Sequence, residues 1–273
     1  MVNQLPPNVQ FRPMQPEDLN TALQIIYETD EDDYETAAEE FQDEGVDGHY
    51  VLTKDGAVIG LTGCECMDED DITDGSFFLS WTYLSQKHRG EGLGTMLLEQ
   101  MLEVIRQNNG RKVFVSTSDY VDPEKGDVYR AARQLYSQAG FTEELRHPNY
   151  YNPTEAMITF GLRLEQLQPR QSFRPEGRKI SLKDIDEIAE TEDAYAISWE
   201  YTDGEGSTSV DFQRVIQEVE KWEGRVIFVA IPSDAEQLIQ LMVNCRFRQE
   251  GQLADYFEDG IHEVHFRYDL ALR

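Results

Sequence analysis

Basic residues are scarce in this 273-residue chain: 24 Lys and Arg stand against 53 Asp and Glu, a formal net charge of −29. Such a surface repels phosphate backbones and anionic bilayers, which excludes a nucleic-acid partner and a lipid-surface role. Cysteine is rarer still, with only Cys64, Cys66 and Cys245. An odd, small number without paired spacing points to reduced thiols in a cytoplasm and not to a disulfide framework. Cys64 and Cys66 lack two further clustered ligands, so no metal is expected. No apolar run reaches the length of a membrane span, and the start MVNQLPPNVQ has neither a basic head nor an apolar core. The expectation is a soluble, cytoplasmic protein.

What is present is an ordinary apolar content and many aromatics, enough for one large core or two small ones. The acid is spread through the chain. Residues 1–170 hold 13 basic and 31 acidic groups, and the remainder 11 and 22. The densest stretch, Glu28 to Asp47, has eleven acidic residues and no Lys or Arg.

Periodicity supplies a first draft of the elements. Phe11 onward reads as strand, turn and helix, with Leu19, Leu23 and Ile26 on one helical face. An acidic helix follows near Tyr34–Phe41. Asp55-Gly56 between two apolar runs predicts a hairpin. An acidic loop at 68–75 precedes the strand SFFLSWTYL. A helix with Leu93, Leu97, Met101 and Ile105 in register comes next, then the strand RKVFVSTS. A helix ends at Gly140, a C-terminal cap glycine, and EAMITFGLRL closes the region as a strand. After Leu164 the Gln/Pro/Arg-rich text EQLQPRQSFRPEGRK reads as a linker. Beyond it we expect a helix near Ser181–Glu192, a Gly/Ser/Thr loop, a helix at DFQRVIQEVEKW and the strand RVIFVAI.

The chain also resembles itself. From Phe141 to Phe247 is a shift of 106 residues, and the same shift carries Tyr150 onto Tyr256, Tyr151 onto Phe257 and Phe160 onto Phe266. Met242 then replaces Tyr136, and Arg246 replaces Gly140. The second copy has no glycine-rich stretch.

That stretch is QKHRGEGLGTMLLEQML, with Gly90, Gly92 and Gly94 directly before a helix. The first turn of a helix leaves backbone N–H groups unpaired, and glycine lets an anion approach them. A Walker loop requires Gly-Lys-Ser/Thr, and this helix opens Gly94-Thr95-Met96. A dinucleotide fingerprint requires a third Gly or Ala where Thr95 stands. A plain turn loop also fits the glycines taken alone.

Arg89, Gly92 and Gly94 fit the signature Arg/Gln-x-x-Gly-x-Gly/Ala, and Ala132, Tyr136, Gly140 and Phe141 fit Ala-x-x-x-Tyr-x-x-x-Gly-Phe. With both motifs in this order, residues 10–165 resemble the GNAT N-acetyltransferase superfamily. The resemblance implies an α/β fold whose mixed, mostly antiparallel sheet splays around acetyl-CoA and is flanked by helices. It implies residues 1–165 as the acetyltransferase domain, 166–178 as linker and 179–273 as a truncated, degenerate GNAT-like copy, a stand-in for a dimer partner.

The resemblance also implies the chemistry. Acetyl-CoA is the acyl donor, with its pantetheine arm at Leu84 and Ser85 and its pyrophosphate on the backbone from Arg89 through Gly90, Glu91, Gly92, Leu93 and Gly94 to Thr95. An amide near Leu84 stabilises the oxyanion, and Tyr136 serves the leaving thiolate. The family fixes no base. Glu65 is the first candidate, with His49 and His88 behind it. The acceptor is expected to be a primary amine on a small molecule or peptide, and the protein a monomer or homodimer. A non-catalytic acyl-CoA-binding module is the rival reading, although simple binding does not require Tyr136.

Overall fold

The computed structural model describes residues 4–67, 75–164 and 179–270. The expected linker and most of the acidic loop lie outside these residues. The chain divides into two compact units: residues 1–67, 75–142 and 162–169 form the first, and 68–74, 143–161 and 170–273 the second.

The first unit begins with β1 (Val9–Pro13), a short 3-10 turn, α1 (Leu19–Tyr27) and α2 (Glu31–Glu44). Asp18 sits at this entry, mostly buried. Arg12 donates to both its carboxylate oxygens (2.6 and 2.9 Å), and the Gln15 amide donates a third bond (2.9 Å). The Arg12 bond in particular lowers the Asp18 pKa. A lowered carboxylate pKa means stability that is present above the unfolded value of about 3.9 and lost as pH falls through the folded one. Asp18→Asn is therefore expected to cost about 1–3 kcal/mol at neutral pH. Urea unfolding should show that difference from wild type shrinking below about pH 4.

β2 (His49–Lys54) and β3 (Ala57–Cys66) form the expected hairpin, with Asp55 at φ 52° and Gly56 at φ 82° in a primed turn. β4 (Ser76–Leu84) then leads into α3 (Leu93–Gln107), which packs Leu93 and Leu97 on Leu52 and Ile59. β5 (Lys112–Ser118) runs parallel to β4. The two-residue strands β6 (Val121–Asp122) and β7 (Gly126–Asp127) precede α4 (Arg130–Gln138). β8 (Thr142–Asn152) and β9 (Glu155–Arg163), whose residues 143–161 the division assigns to the second unit, complete a seven-stranded sheet of order β1-β2-β3-β4-β5-β9-β8.

Besides residues 143–161, the second unit contains β10 (Lys179–Glu187), β11 (Ala194–Thr202), α5 (Ser209–Lys221), β12 (Val226–Pro232), α6 (Glu236–Asn244), β13 (Arg248–Glu258) and β14 (Ile261–Asp269). Its sheet order is β10-β11-β12-β14-β13. The expected helix at 181–192 is thus a correction: the segment is a strand followed by a turn. The cause is a bulge. Leu182 pairs with Trp199 and Ile185 with Ile197, so one extra residue sits on β10 between them. The apolar spacing becomes three, which imitates a helical face.

The second sheet repeats β3-β4-β5-β9-β8 element for element. The parallel pair β11–β12 holds for three residue pairs, as β4–β5 does. Arg225 N–H donates to Asp193 O as Arg111 N–H donates to Gly75 O, both at 2.7 Å. Phe247 N–H reaches Met242 O as Phe141 N–H reaches Tyr136 O, both at 3.0 Å. Arg246 occupies the left-handed position of Gly140, at φ 70° against 94°.

Candidate functional site

The glycine stretch lies where β4 hands over to α3. Gly90 (φ 80°) and Gly92 (φ 77°) are left-handed, and Gly92 caps the helix. A Cβ built on either would meet no atom within 4 Å. The left-handed backbone, and not crowding, is what selects glycine there. Gly94 lies inside the first helical turn, and a Cβ there would make ordinary contact with Leu135 at 3.8 Å. The helix's hydrogen bonding starts with Met96 N–H to Gly92 O (3.2 Å). The amides before it have no partner within the helix, which fits an anion. Leu93 contributes only its backbone, since its side chain is core, while Thr95 is exposed.

Arg89 is a brace. Its Nε donates to the Leu84 carbonyl (3.0 Å) and its Nη2 to Thr29 Oγ1 (2.7 Å). Ser85 Oγ and the Gln86 amide both donate to Glu28 (3.1 and 2.8 Å). Glu91 is exposed and takes Lys54 Nζ at 2.7 Å, which lowers its pKa.

β4 and β5 pair only at Ser76↔Lys112, Phe77↔Val113 and Phe78↔Phe114. β4 continues to Leu84 and β5 to Ser118, so the strands part and expose their facing edges. The Ser85 amide bonds Ile59 O at 2.8 Å, towards β3. Alternation along a strand then turns the neighbouring Leu84 amide the other way, into the gap. Between Leu61↔Tyr83 and Gly63↔Ser80 an extra residue sits on β4, with Trp81 at φ 42°. The bulge turns Trp81 and Tyr83 onto the α1–α2 side, beside Ile26, Ala37 and Val51. Leu84 packs with Leu93 and Leu97 on the α3 side.

Tyr136 of α4 is 4% exposed. Burial pushes its phenol up to about 12, against a hydrogen bond with the Thr82 side chain. Thr82 Oγ1 also bonds Thr62 Oγ1 (2.9 Å). On the facing strand, Thr117 is 8% exposed and its Oγ1 is buried without a hydrogen-bond partner among the described residues.

Glu65 is exposed and pairs with Phe78, where β4 and β5 are still joined. It stands three residues beyond Thr62, roughly 10 Å along the strand, and is not brought to Tyr136. His49 is held by the Asp47 carbonyl (3.1 Å) and Ser80 Oγ (3.2 Å), and burial lowers its pKa. His88 lies near Glu91 (3.8 Å), at the glycine loop.

A different carboxylate, Asp33, has no local signature in the sequence. Asp33 of α2 accepts from the hydroxyls of Tyr83 and Tyr129 on the same oxygen, the latter at 2.6 Å, and Tyr129 is also 3.2 Å from Asp30. Burial raises the Asp33 pKa against these two bonds. The partners lie 50 and 96 residues away in sequence, so no local pattern joins them.

In the second unit the gap between β11 and β12 is bridged. Trp199 corresponds to Trp81, but the bulge here is on β10, and Trp199 Nε1 donates to Ala230 O of β12 at 2.6 Å. Among the described residues, Trp81 Nε1 has no such partner.

Residues 46–143 match the family model of the acetyltransferase (GNAT) domain. No curated protein matches the chain. Similar solved structures include a Desulfovibrio desulfuricans protein assigned to the GNAT family (24% identity, 57% of this chain and 98% of that one, TM-score 0.49). Another is yncA from Salmonella typhimurium, solved with its cofactor acetyl-CoA (16%, 60% and 99%, 0.48). A third is the ribosomal-protein-S18-alanine N-acetyltransferase from Escherichia coli (18%, 60% and 99%, 0.47).

Proposed function

With a GNAT acetyltransferase domain in its first unit as the premise, we propose that this protein transfers the acetyl group of acetyl-CoA directly to a primary amine. The observation that carries this reading is the parted β4–β5 pair, with a glycine-capped helix following β4 and the Tyr136 hydroxyl bonded to Thr82 of β4. The acyl donor is a substrate. Its pyrophosphate would lie on the amides around Gly92 to Thr95, and its thioester would reach the Leu84 amide. When the amine attacks, charge gathers on the carbonyl oxygen, and a fixed N–H at that point lowers the barrier. Tyr136 serves the sulfur as the C–S bond breaks. Its raised pKa keeps it protonated at neutral pH, so it supplies a hydrogen bond to the thiolate without first needing a proton.

The acceptor class is a small-molecule or peptide amine. The acidic α2 favours a cationic one. The rival, a binding module without turnover, predicts acetyl-CoA binding with no thiol released under any acceptor. A thiol-release screen against spermidine, kanamycin, amino acids and a peptide with a free N-terminus separates the two readings. The bridged gap of the second unit adds a further expectation. Calorimetric titration with acetyl-CoA should give a stoichiometry near one per chain, and two equivalent sites would overturn the view that the second unit is degenerate.

A further inference from the structure

We propose that the acceptor amine gives up its proton through the hydroxyl of Tyr83 to Asp33, with Tyr129 holding the receiving carboxylate in place. This inference rests on the acetyl-transfer reading above.

The position comes first. Tyr83 immediately precedes Leu84, whose amide faces the gap, and the bulge at Trp81 sets Tyr83 on the α1–α2 side of β4. Thr82, the partner of Tyr136, is its other neighbour. Two phenols therefore stand at consecutive positions of β4, Tyr136 through its bond to Thr82 on the side of the departing sulfur and Tyr83 itself on the side of the arriving nitrogen.

Chemistry then assigns the roles. A phenol has one proton and two lone pairs. Tyr83 spends its proton on Asp33, so its oxygen is left as an acceptor for an incoming N–H. Tyr83 is no standing base. Burial, followed by the charge of Asp33, raises its pKa well above the ordinary phenol value. It can take a proton only while passing its own onward. Asp33 is suited to receive it, because burial makes this carboxylate hold a proton more readily than an exposed one. Asp30 and Asp32 push in the same direction, whereas the bonds from Tyr129 and Tyr83 oppose it. Lys125 Nζ and Arg89 Nη2 lie nearby but are bonded to Thr29.

The step balances. The reacting amine enters as the free base, its ammonium proton left in solvent; its nitrogen lone pair forms the C–N bond and the carbonyl pair moves to oxygen. As that pair returns, the C–S bond breaks and its electrons leave on sulfur, hydrogen-bonded by Tyr136. The N–H proton moves to Tyr83 Oη while the former Tyr83 proton moves to Asp33 Oδ2. The products are the amide, the thiolate and a neutral Asp33, which returns its proton to solvent. Tyr83 touches the substrate and is the catalytic residue of the pair. Asp33 acts through it.

The test uses the full chain, acetyl-CoA and the amine panel named above, with thiol release followed as a function of pH. Asp33→Asn is expected to lower kcat on the order of 100-fold, to leave acetyl-CoA affinity unchanged by calorimetry, and to flatten the acid limb of the kcat–pH profile. Tyr83→Phe should flatten the same limb, and Asp33→Glu should restore part of it. A purely structural Asp33 would lower stability and leave the shape of the limb alone. If Asp33→Asn does not fold, Tyr83→Phe, which keeps the ring, decides the matter. A wild-type acid limb in Tyr83→Phe overturns the relay while leaving acetyl transfer intact. A wild-type protein that acetylates none of the panel overturns the transfer reading and the relay together.

Discussion

Tyr136→Phe is expected to lower kcat about 100- to 10,000-fold and to leave acetyl-CoA binding nearly unchanged. The second unit shows why the hydroxyl is not there for packing. Met242, at the equivalent position, is fully buried and takes the Phe247 amide on its carbonyl as Tyr136 takes that of Phe141. A helix of this design therefore folds without a phenol. The variant keeps the ring and its contact with Phe141 at 5.7 Å between centroids. Thr82 loses one partner but retains Thr62, so the stability change should be about 1 kcal/mol or less. The measurements are kcat at saturating acetyl-CoA and acceptor, the calorimetric Kd and a thermal melt. Equal turnover by the two proteins would remove the role assigned to the hydroxyl.

Gly92→Val should act on binding instead. At φ 77° a β-branched residue is strained, and relieving that strain moves the amides that follow. The new side chain also occupies the open space through which a phosphate approaches the backbone. Losing two charge-assisted hydrogen bonds at about 1.5–3 kcal/mol each weakens acetyl-CoA binding by roughly 100- to 10,000-fold. Gly94 is the informative control. It is helical, with ordinary room for a Cβ, so Gly94→Ala should disturb binding far less. Normal acetyl-CoA affinity in a folded Gly92→Val protein would place the cradle elsewhere.

The features legible in the sequence are those fixed within a few residues. The left-handed glycines, the Asp55-Gly56 turn and the helix that ends at Gly140 each follow from local backbone demands. The features that escaped depend on distance or on register. β10 looked helical because its bulge resets the alternation between Leu182 and Ile185. β8 shows little alternation, and Pro148 interrupts it. The full repeat was also partly hidden. Phe141 and Phe247 are 106 residues apart, but Arg111 and Arg225 are separated by 114, and Trp81 and Trp199 by 118. Loops of different length absorb the differences, so a single shift aligns only the last elements. Ser80-Trp81-x-Tyr83 and Ser198-Trp199-x-Tyr201 then come into register. The Asp33–Tyr83–Tyr129 group had no local signal, because an aspartate in the first turn of an acidic helix is already explained by the helix dipole.

The Trp199 bridge has a bearing on how the chain survives in a cell. On the reading proposed above, acetyl-CoA binds the folded first unit and not its unfolded chain. That unit then gains about 2.7 kcal/mol when the ligand stands at a hundred times its Kd. The second unit has no such reserve: its gap is closed by its own indole, at constant strength, whatever the metabolic state. Acetyl-CoA supply thus changes the stability of the first unit and not that of the second. On the same reading, depletion of the donor removes this increment from the first unit and leaves the second unit's indole bridge as it was.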